Sequence, residues 1–233
     1  MAETEAEPSM TSRSQDELSA FIQSRTALVA PPGCPEVRLH LATAMTSLWQ
    51  DTEAFMPGVT IPPPYWALAW AGSQALARHL IDNPWLVRGR KVLDFAAGSG
   101  IAGIAAAKFG AATVEAYDSD PLARAAVALN AQSNGVIITT VTEDPGKDNR
   151  TVSPWEAVLV GDLGYEIAAV QQYLPWLRKL GAQGVLVLLA DPGGVYGEGK
   201  GMVPLADYEI AIADVSDTGR ISTRNATIYR IAG

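Results

Sequence analysis

The chain has 233 residues and a formal net charge of −8, with 17 Lys and Arg residues against 25 Asp and Glu residues. Nucleic-acid binding depends on clustered basic side chains that neutralise phosphates, and the sequence contains no basic run, so no nucleic-acid partner is expected. A single cysteine excludes an internal disulfide, and together with only two histidines it argues against a metal site of the zinc type.

The N-terminal residues 1–13 are acidic and are expected to form a disordered tail. They lack the apolar core of a signal peptide. No stretch of the chain approaches the roughly 18 continuous apolar residues of a membrane span. We therefore expect a cytoplasmic protein that does not bind a membrane.

Residues 14–60 are interpreted as a small N-terminal helical appendage. Ser14 followed by Glu17 has the spacing of a capping box and predicts the start of a helix. The expected elements are a helix, an extended segment and a second helix, over residues 14–24, 36–41 and 43–55. Two roles stay open for this appendage, which either shapes the substrate entrance or only completes the core.

Residues 61–233 are expected to form a single α/β domain. It begins with a rigid proline-rich segment that ends at Trp66, because each proline fixes its own φ angle and keeps its predecessor extended. A helix is predicted over residues 67–81. Trp66 and Trp70 are four residues apart and would share one face of that helix, either as core residues or as part of a cofactor pocket.

The segment KVLDFAAGSGIAG, residues 91–103, predicts a buried strand, a glycine-rich turn and a helix. Such a unit is the first half of a nucleotide-binding βαβ fold, in which glycines let the backbone approach the ligand. The helix that follows offers free N–H groups at its start. Residues 98–103 also match the G-x-G-x-x-G pattern of NAD and FAD proteins, but this pattern alone is weak.

An acidic residue at the strand end separates these possibilities. Asp94 stands four residues before Gly98, and this arrangement resembles motif I of class I S-adenosylmethionine-dependent methyltransferases. In the usual form of that motif a glycine occupies the position of Ala96. Gly100 completes the predicted turn.

Strands and helices alternate after this motif, which predicts a Rossmann-like doubly wound sheet of seven mostly parallel strands. A short polar link joins the last two strands and leaves no room for a crossover helix, so they should form an antiparallel hairpin. A terminal hairpin argues against a plain NAD domain. The expected strands cover residues 91–95, 113–117, 136–141, 157–161, 184–190, 208–215 and 226–231, and the expected helices cover residues 101–109, 120–134 and 166–180.

Acidic residues follow the second and third strands of this sheet. Asp118 lies 20 residues after Gly98, where a carboxylate could accept hydrogen bonds from both ribose hydroxyls of a nucleotide cofactor. Asp120 is expected first as the N-cap of the next helix. Glu143 and Asp144 occupy the region that touches adenine in this fold, although a solvated loop is slightly favoured.

The fourth strand ends in the motif D-x-x-Y, formed by Asp162 and Tyr165. Class I methyltransferases present the acceptor to the methyl group at this position. Asp162 could hydrogen-bond the incoming nitrogen, and Tyr165 could wall the slot. The alternative role for Asp162 is an N-cap of the helix that follows.

Taken together, these motifs resemble the bacterial branch of the electron-transfer-flavoprotein beta-subunit lysine methyltransferases. The similarity rests on PPYWALAWAGSQALARHL, VRGRKVLDFAAGSG, AYDSDP, ALNAQSNG, GDLGYE and ADPGG, which occur in order between residues 62 and 192. The resemblance implies S-adenosylmethionine as methyl donor and a protein lysine, in the beta subunit of electron transfer flavoprotein, as acceptor. It assigns Asp162 and Tyr165 to the acceptor side. The candidate cofactor-binding residues are Trp70, Asp94, Ala96, Gly98, Gly100, Asp118, Glu143 and Asp162.

Methyl transfer from a sulfonium is a direct in-line displacement, so the lack of a nucleophile–histidine motif fits this chemistry. We expect Asp162 to orient the amine and deprotonation to be left to water. Three alternatives stay open: methylation of a ribosomal protein or small amine, a cofactor-binding module without catalysis, and an NAD-dependent oxidoreductase. The last would need a proton donor, for example of the Tyr-x-x-x-Lys type, and it predicts neither the D-x-x-Y motif nor a terminal hairpin.

Overall fold

The computed structural model describes residues 13–57, 61–147, 153–163, 167–194, 201–213 and 221–232. Six α-helices and nine strands lie in these ranges. In chain order they are α1 (Gln15–Arg25), β1 (Thr26–Val29), β2 (Leu39–Ala42), α2 (Met45–Phe55), α3 (Ala71–Asp82), β3 (Lys91–Phe95), α4 (Ile101–Lys108), β4 (Thr113–Tyr117), α5 (Pro121–Ser133), β5 (Thr139–Val141), β6 (Ala157–Val160), α6 (Ile167–Ala182), β7 (Leu186–Pro192), β8 (Met202–Ala213) and β9 (Ile221–Ile231).

A seven-stranded sheet with the order β5-β4-β3-β6-β7-β9-β8 forms the centre of the fold. The five strands from β5 to β7 pair in parallel, whereas β9 pairs antiparallel with both β7 and β8. The predicted mostly parallel sheet with a terminal hairpin is therefore confirmed. The carboxyl ends of all five parallel strands meet at one edge, and the turns that follow them are brought together there.

Alternate residues of the central strands face opposite layers of helices. Val92 packs in a cluster with α3 and α4, whereas Leu93 and Phe95 pack in a cluster with α6. Both layers are apolar, which explains why the strand sequences are continuous apolar runs rather than alternating ones. Helix α5 lies beside α4 and contacts the sheet through Val127 and Ala116.

The N-terminal elements α1, β1, β2 and α2 pack on α5. Phe21 and Leu48 share a buried cluster with Leu122, and the ring of Phe21 stacks on that of Phe55 with centroids 4.3 Å apart. The predicted capping box is confirmed, because the Ser14 side chain accepts from the backbone of Glu17 while the Glu17 side chain accepts from the Ser14 backbone N–H. These contacts place the appendage against the outer helix rather than against the sheet.

Some elements of the structure differ from the predicted ones. Strand β1 was not predicted, and β5 is three residues long, shorter than expected from residues 136–141. Strands β8 and β9 begin at Met202 and Ile221, both earlier than expected. The predicted helix over residues 67–81 begins only at Ala71, after a separate 3₁₀ turn at Tyr65–Ala67. Trp66 and Trp70 therefore do not share a helix face, because an extended backbone separates the two elements.

Among the residues described by the structure, no helix has both the length and the apolar character needed to cross a membrane. Those residues also contain no group of three or more His, Cys, Asp and Glu side chains placed to hold a metal ion.

Candidate active site

A cavity of about 420 Å³ opens at the carboxyl edge of the parallel strands. Its walls come from the proline-rich segment, the turns after β3, β4 and β6, and α6. We call it the edge cavity. A second depression, of about 740 Å³, lies beside the β8–β9 hairpin, but the glycine turn, Asp118 and Asp162 line only the edge cavity. Of the predicted site residues, those that line the edge cavity are Trp70, Ala96, Gly98, Asp118 and Asp162.

The glycine turn after β3 forms one wall of the edge cavity. Gly98 and Gly100 adopt positive φ angles of 53° and 79°, which glycine tolerates without a steric penalty. Gly98 lines the cavity, whereas Gly100 is the N-cap of α4 and faces Val127, whose side chain would lie 3.1 Å from an added Cβ. Ala96 also lines the cavity, at φ 54°, and is the only non-glycine residue with a positive φ in the described part of the chain.

Asp94 lies beneath this turn and does not line the edge cavity. Its Oδ2 accepts a hydrogen bond of 2.8 Å from the backbone N–H of Gly103, in the first turn of α4. A Cβ at Gly103 would stand 2.8 Å from the same oxygen, so this glycine makes the approach possible. Burial raises the pKa of Asp94 to about 7, against the lowering effect of the Gly103 N–H. Asp94 thus holds the start of α4 under the glycine turn.

Asp118 lines the edge cavity at the end of β4. One carboxylate oxygen accepts from Gly98 N at 2.9 Å and the other from Asp120 N at 3.0 Å. Each oxygen keeps a lone pair for a further donor. Burial raises the pKa of Asp118, while the same backbone N–H groups oppose that change. Asp118 can therefore fix the glycine turn and still accept hydrogen bonds from a ligand.

Asp120 caps α5, as the sequence predicted. Its Oδ1 accepts from the backbone N–H of Leu122 at 2.8 Å, and Pro121 occupies the first helical position. The residue also lines the edge cavity. Burial raises its pKa to about 6, with a smaller contribution from the neighbouring charge of Asp118.

The loop after β5 brings Asp144, and not Glu143, towards α6. Asp144 accepts from the Tyr173 hydroxyl at 2.8 Å, whereas Glu143 is exposed and does not line the edge cavity. Tyr173 does line it, and burial followed by the Asp144 contact raises the pKa of this phenol. The structure therefore does not bring Glu143 to the other predicted site residues.

Asp162 follows β6 and holds the beginning of α3. Its Oδ1 accepts from the backbone N–H of Gly72 at 3.0 Å, and its Oδ2 accepts from the N–H and the hydroxyl of Ser73 at 2.6 and 2.8 Å. Burial raises the pKa of Asp162, and the Ser73 hydrogen bonds oppose it. The sequence suggested a cap for the following helix, but the capped helix lies 89 to 90 residues earlier in the chain. Tyr165 lies outside the described residues.

Aromatic side chains provide much of the remaining wall. Trp70, immediately before α3, donates from Nε1 to the Tyr65 carbonyl at 2.8 Å, and both residues line the edge cavity. On the opposite side, Phe95 stacks on Tyr117 with centroids 5.4 Å apart and meets Tyr173 edge-on at 4.8 Å. No sequence motif predicted the Tyr117–Tyr173 wall. The available signal was the position of Tyr117 directly before Asp118 at a strand end.

The family model and the curated proteins that match the chain are named as methyltransferases. The family model for ribosomal protein L11 methyltransferase (PrmA) matches residues 76–153. Curated proteins named electron transfer flavoprotein beta subunit lysine methyltransferase match far more of the chain. The Xenopus laevis protein is 35% identical over 197 residues, covering 82% of this chain and 78% of its own length, and the Danio rerio protein is 37% identical over 182 residues, covering 77% and 69%.

The chain belongs to the electron transfer flavoprotein beta subunit lysine methyltransferase family. It is an S-adenosylmethionine-dependent methyltransferase. The solved structure of a ribosomal protein L11 methylase from Lactobacillus delbrueckii subsp. bulgaricus has the same fold, with a TM-score of 0.50, 19% identity, and coverage of 76% of this chain and 84% of its own.

The edge cavity suits a cofactor of this kind. Its volume of about 420 Å³ falls within the range of about 300–1,000 Å³ typical of small-molecule sites. The glycine turn allows close approach of a ligand to the backbone, and Asp118 keeps acceptor capacity towards the cavity. Aromatic rings on both sides give the apolar surface that a purine ring needs.

Proposed function

We propose that this enzyme transfers methyl groups from S-adenosylmethionine to a lysine ε-amine in the beta subunit of electron transfer flavoprotein. The observation that carries the proposal is the 35% identity to the Xenopus laevis protein of that name across 82% of the chain. The edge cavity supports it, since Gly98, Asp118 and Asp162, three of the residues expected of a class I methyltransferase, line one space.

Within this proposal, Asp118 accepts hydrogen bonds from the ribose hydroxyls through the lone pairs that its two backbone contacts leave. Ala96 and Gly98 bring the backbone close to the cofactor, and Trp70 closes the cavity from the opposite wall. Asp94 and Gly100 act from beneath, by fixing the glycine turn and α4. The adenine contact of Glu143 stays a prediction.

When bound, S-adenosylmethionine would supply an electrophilic methyl group on a sulfonium. The amine nitrogen would bond to the methyl carbon in line while the C–S bond breaks and the sulfur leaves as the thioether of S-adenosylhomocysteine. The protein must then align the amine, bind the amine in its neutral form and exclude water. A free lysine has a pKa of about 10.4, so few molecules are neutral at pH 7. The apolar rings of Phe95, Tyr173 and Trp70 make the edge cavity a site in which a charged ammonium loses solvation. The family resemblance implies that Asp162 and Tyr165 lie on the acceptor side.

Calorimetric titration with S-adenosylhomocysteine, with NADH as the comparison ligand, tests the cofactor site. We expect micromolar binding of the first and none of the second. Asp118→Ala should weaken S-adenosylhomocysteine binding at least about tenfold, since two hydrogen bonds to a charged acceptor are lost. Asp16→Ala changes an exposed acid on α1 and should leave the affinity unchanged. Binding of NADH, or full affinity in Asp118→Ala, would contradict the proposal.

Ribosomal protein L11 is the second candidate acceptor, favoured by the PrmA model match over residues 76–153. Offering L11 and the electron transfer flavoprotein beta subunit to the enzyme in parallel separates the two candidates. We further propose that the enzyme works in the cytoplasm. We also propose that it acts on a protein and not on nucleic acid, which the net charge of −8 supports.

A further inference from the structure

The contact between the turn after β6 and the start of α3 is unusually dense in polar atoms. Three donors from Gly72 and Ser73 converge on the Asp162 carboxylate at 2.6 to 3.0 Å. Trp70, the N-cap residue of α3, makes no side-chain capping hydrogen bond. Asp162 therefore supplies from a distant part of the chain the cap that α3 lacks.

Small residues make this contact possible. A Cβ at Gly72 would lie 2.8 Å from both Asp162 Oδ1 and the Gly161 carbonyl oxygen. A Cβ at Gly161 would overlap the Ser73 hydroxyl and stand 3.1 Å from the Ser73 Cα. We call these four residues, Gly72, Ser73, Gly161 and Asp162, the α3 joint. The first turn of α3 and the segment after β6 are thus in close contact at the backbone.

The α3 joint lies in the wall of the edge cavity. Ser73 and Asp162 both line it, and Trp70 lines it one residue before α3 begins. Trp70 is fixed on its other side by the hydrogen bond from its indole to the Tyr65 carbonyl. Any loosening of the α3 joint would therefore change the position of Trp70 and the width of the cavity.

The carboxylate of Asp162 is already largely used by these internal donors. Of its roughly four lone-pair directions, three receive protein hydrogen bonds. A carboxylate held this way at the positive end of a helix dipole is stabilised where it is and has little capacity left for a substrate ammonium.

We propose that Ser73 and Asp162 form a positioning pair, which fixes the start of α3 and Trp70 for cofactor binding instead of binding the acceptor amine. The pair works through the helix, and the methyl acceptor is aligned by the cavity that the helix closes. This inference rests on the proposed function and deepens it, because it assigns Asp162 a different task from the one that the D-x-x-Y motif suggested.

The test compares Ser73→Ala, Asp162→Asn and the double variant by calorimetry with S-adenosylhomocysteine. Each single variant should weaken binding about five- to tenfold, and the double variant should be no more than about twofold weaker than Asp162→Asn, because both changes break the same joint. Ser133→Ala is the matched control. It removes a hydroxyl that donates to the Leu129 carbonyl at 3.0 Å on α5, outside the edge cavity, and it should bind normally.

The pH dependence of kcat with the protein acceptor gives a second readout, because kcat reports the ionisation of groups in the enzyme–substrate complex. If Asp162 bound the ammonium, removing its charge would lower the pKa of the bound amine and move the acid limb of the profile to lower pH. A positioning pair predicts a lower profile with the acid limb at the same pH in Asp162→Asn and Ser73→Ala. If a variant changed only the folding stability, neither its affinity for S-adenosylhomocysteine nor its pH–rate profile would change, once rates are expressed per binding site.

Unchanged S-adenosylhomocysteine affinity in Ser73→Ala and Asp162→Asn overturns the inference, as does additivity in the double variant. If Asp162→Asn fails to fold, the comparison of S-adenosylhomocysteine affinity between Ser73→Ala and Ser133→Ala decides alone. The proposed function fails in a different way, because then the unsubstituted enzyme itself would not bind S-adenosylhomocysteine.

Discussion

Helices α5 and α3 both begin at the carboxyl edge of the sheet, but they are capped in opposite ways. The cap of α5 is local, since Asp120 accepts from Leu122 only two residues ahead. The cap of α3 is Asp162, 89 to 90 residues further along the chain. A local cap stabilises its own helix wherever the helix lies. A distant cap makes the start of the helix depend on the position of the strand that supplies it. The wall of the edge cavity therefore depends on how the helix and the sheet pack.

The capping of helix α4 is intermediate between these two cases. Its cap comes from Asp94, nine residues away at the end of the preceding strand, and the carboxylate receives one hydrogen-bond donor, whereas that of Asp162 receives three. Asp94 is also the more completely enclosed, with 2% of its surface exposed. An aspartate therefore caps α4 from within the same βα unit, and another aspartate caps α3 from a different unit.

The largest expected effect is the pH dependence that Asp94 imposes on stability. Burial raises its pKa from the ordinary 3.8 to about 7, so the folded state retains a proton that the unfolded chain has released. Its stabilising contribution is full below about pH 4 and is lost as pH rises through 7. Asp94→Asn keeps an acceptor for Gly103 without this loss.

Urea unfolding at pH 4.5 and pH 8 measures this effect. Between these two pH values, the stability of Asp94→Asn relative to the unsubstituted enzyme should rise by about 3 kcal/mol, at about 1.4 kcal/mol per pKa unit. Asp16→Asn, at an exposed position of α1, should show no such trend. If the stability of Asp94→Asn had the same pH dependence as that of the unsubstituted enzyme, Asp94 would be ionised in the folded state.

Gly161→Ala should break the α3 joint by steric overlap. Its Cβ would overlap the Ser73 hydroxyl, and overpacking of a close contact costs about 2–3 kcal/mol. Adding Ser73→Gly removes the overlapping atoms and should restore about half of the lost stability. Chemical denaturation of both variants measures this, and a double variant less stable than Gly161→Ala would show that the overlap is not the cause.

A smaller loss is expected at the local cap. Asp120→Ala removes the acceptor for Leu122 N and should lower the free energy of unfolding by about 1 kcal/mol. Asp120→Asn keeps a good N-cap side chain and serves as the control, with stability close to that of the unsubstituted enzyme. Thermal melts are sufficient, and equal losses in the two variants would show that charge and not capping matters.

The smallest effect is expected at Ala96. Its φ of 54° is strained for an alanine, so Ala96→Gly should raise stability by about 0.5 kcal/mol after the entropy cost of glycine is subtracted. Ala97→Gly, at a buried neighbour with an ordinary φ, should lower it instead. Urea unfolding distinguishes the two, and a loss in Ala96→Gly would contradict the assigned strain.

The features predicted from the sequence are those whose partners lie a few residues apart. The capping box of Ser14, the cap at Asp120, the glycine turn and the terminal hairpin all have local signals, and all are confirmed. The start of α3 at Ala71 was predicted four residues too early, because its cap is Asp162. No propensity rule connects residues so far apart in the chain.

The candidate site was predicted less completely than the fold. Strand ends place Asp118 and Asp162 at the edge cavity, as parallel-sheet topology requires. Which acid of a neighbouring pair faces inward depends on the loop conformation, and here it is Asp144 that contacts α6 while Glu143 is exposed. Tyr173 joins the cavity wall through α6, and no sequence spacing indicates that contact.

Mass spectrometry of the electron transfer flavoprotein beta subunit, after incubation with the enzyme and S-adenosylmethionine, tests the central claim most directly. The proposed function predicts methyl groups on a lysine of that subunit, none on L11 offered in parallel, and a strongly reduced yield with Asp118→Ala. Methylated L11 with an unmodified flavoprotein subunit would contradict the claim and identify the enzyme as a ribosomal-protein methyltransferase.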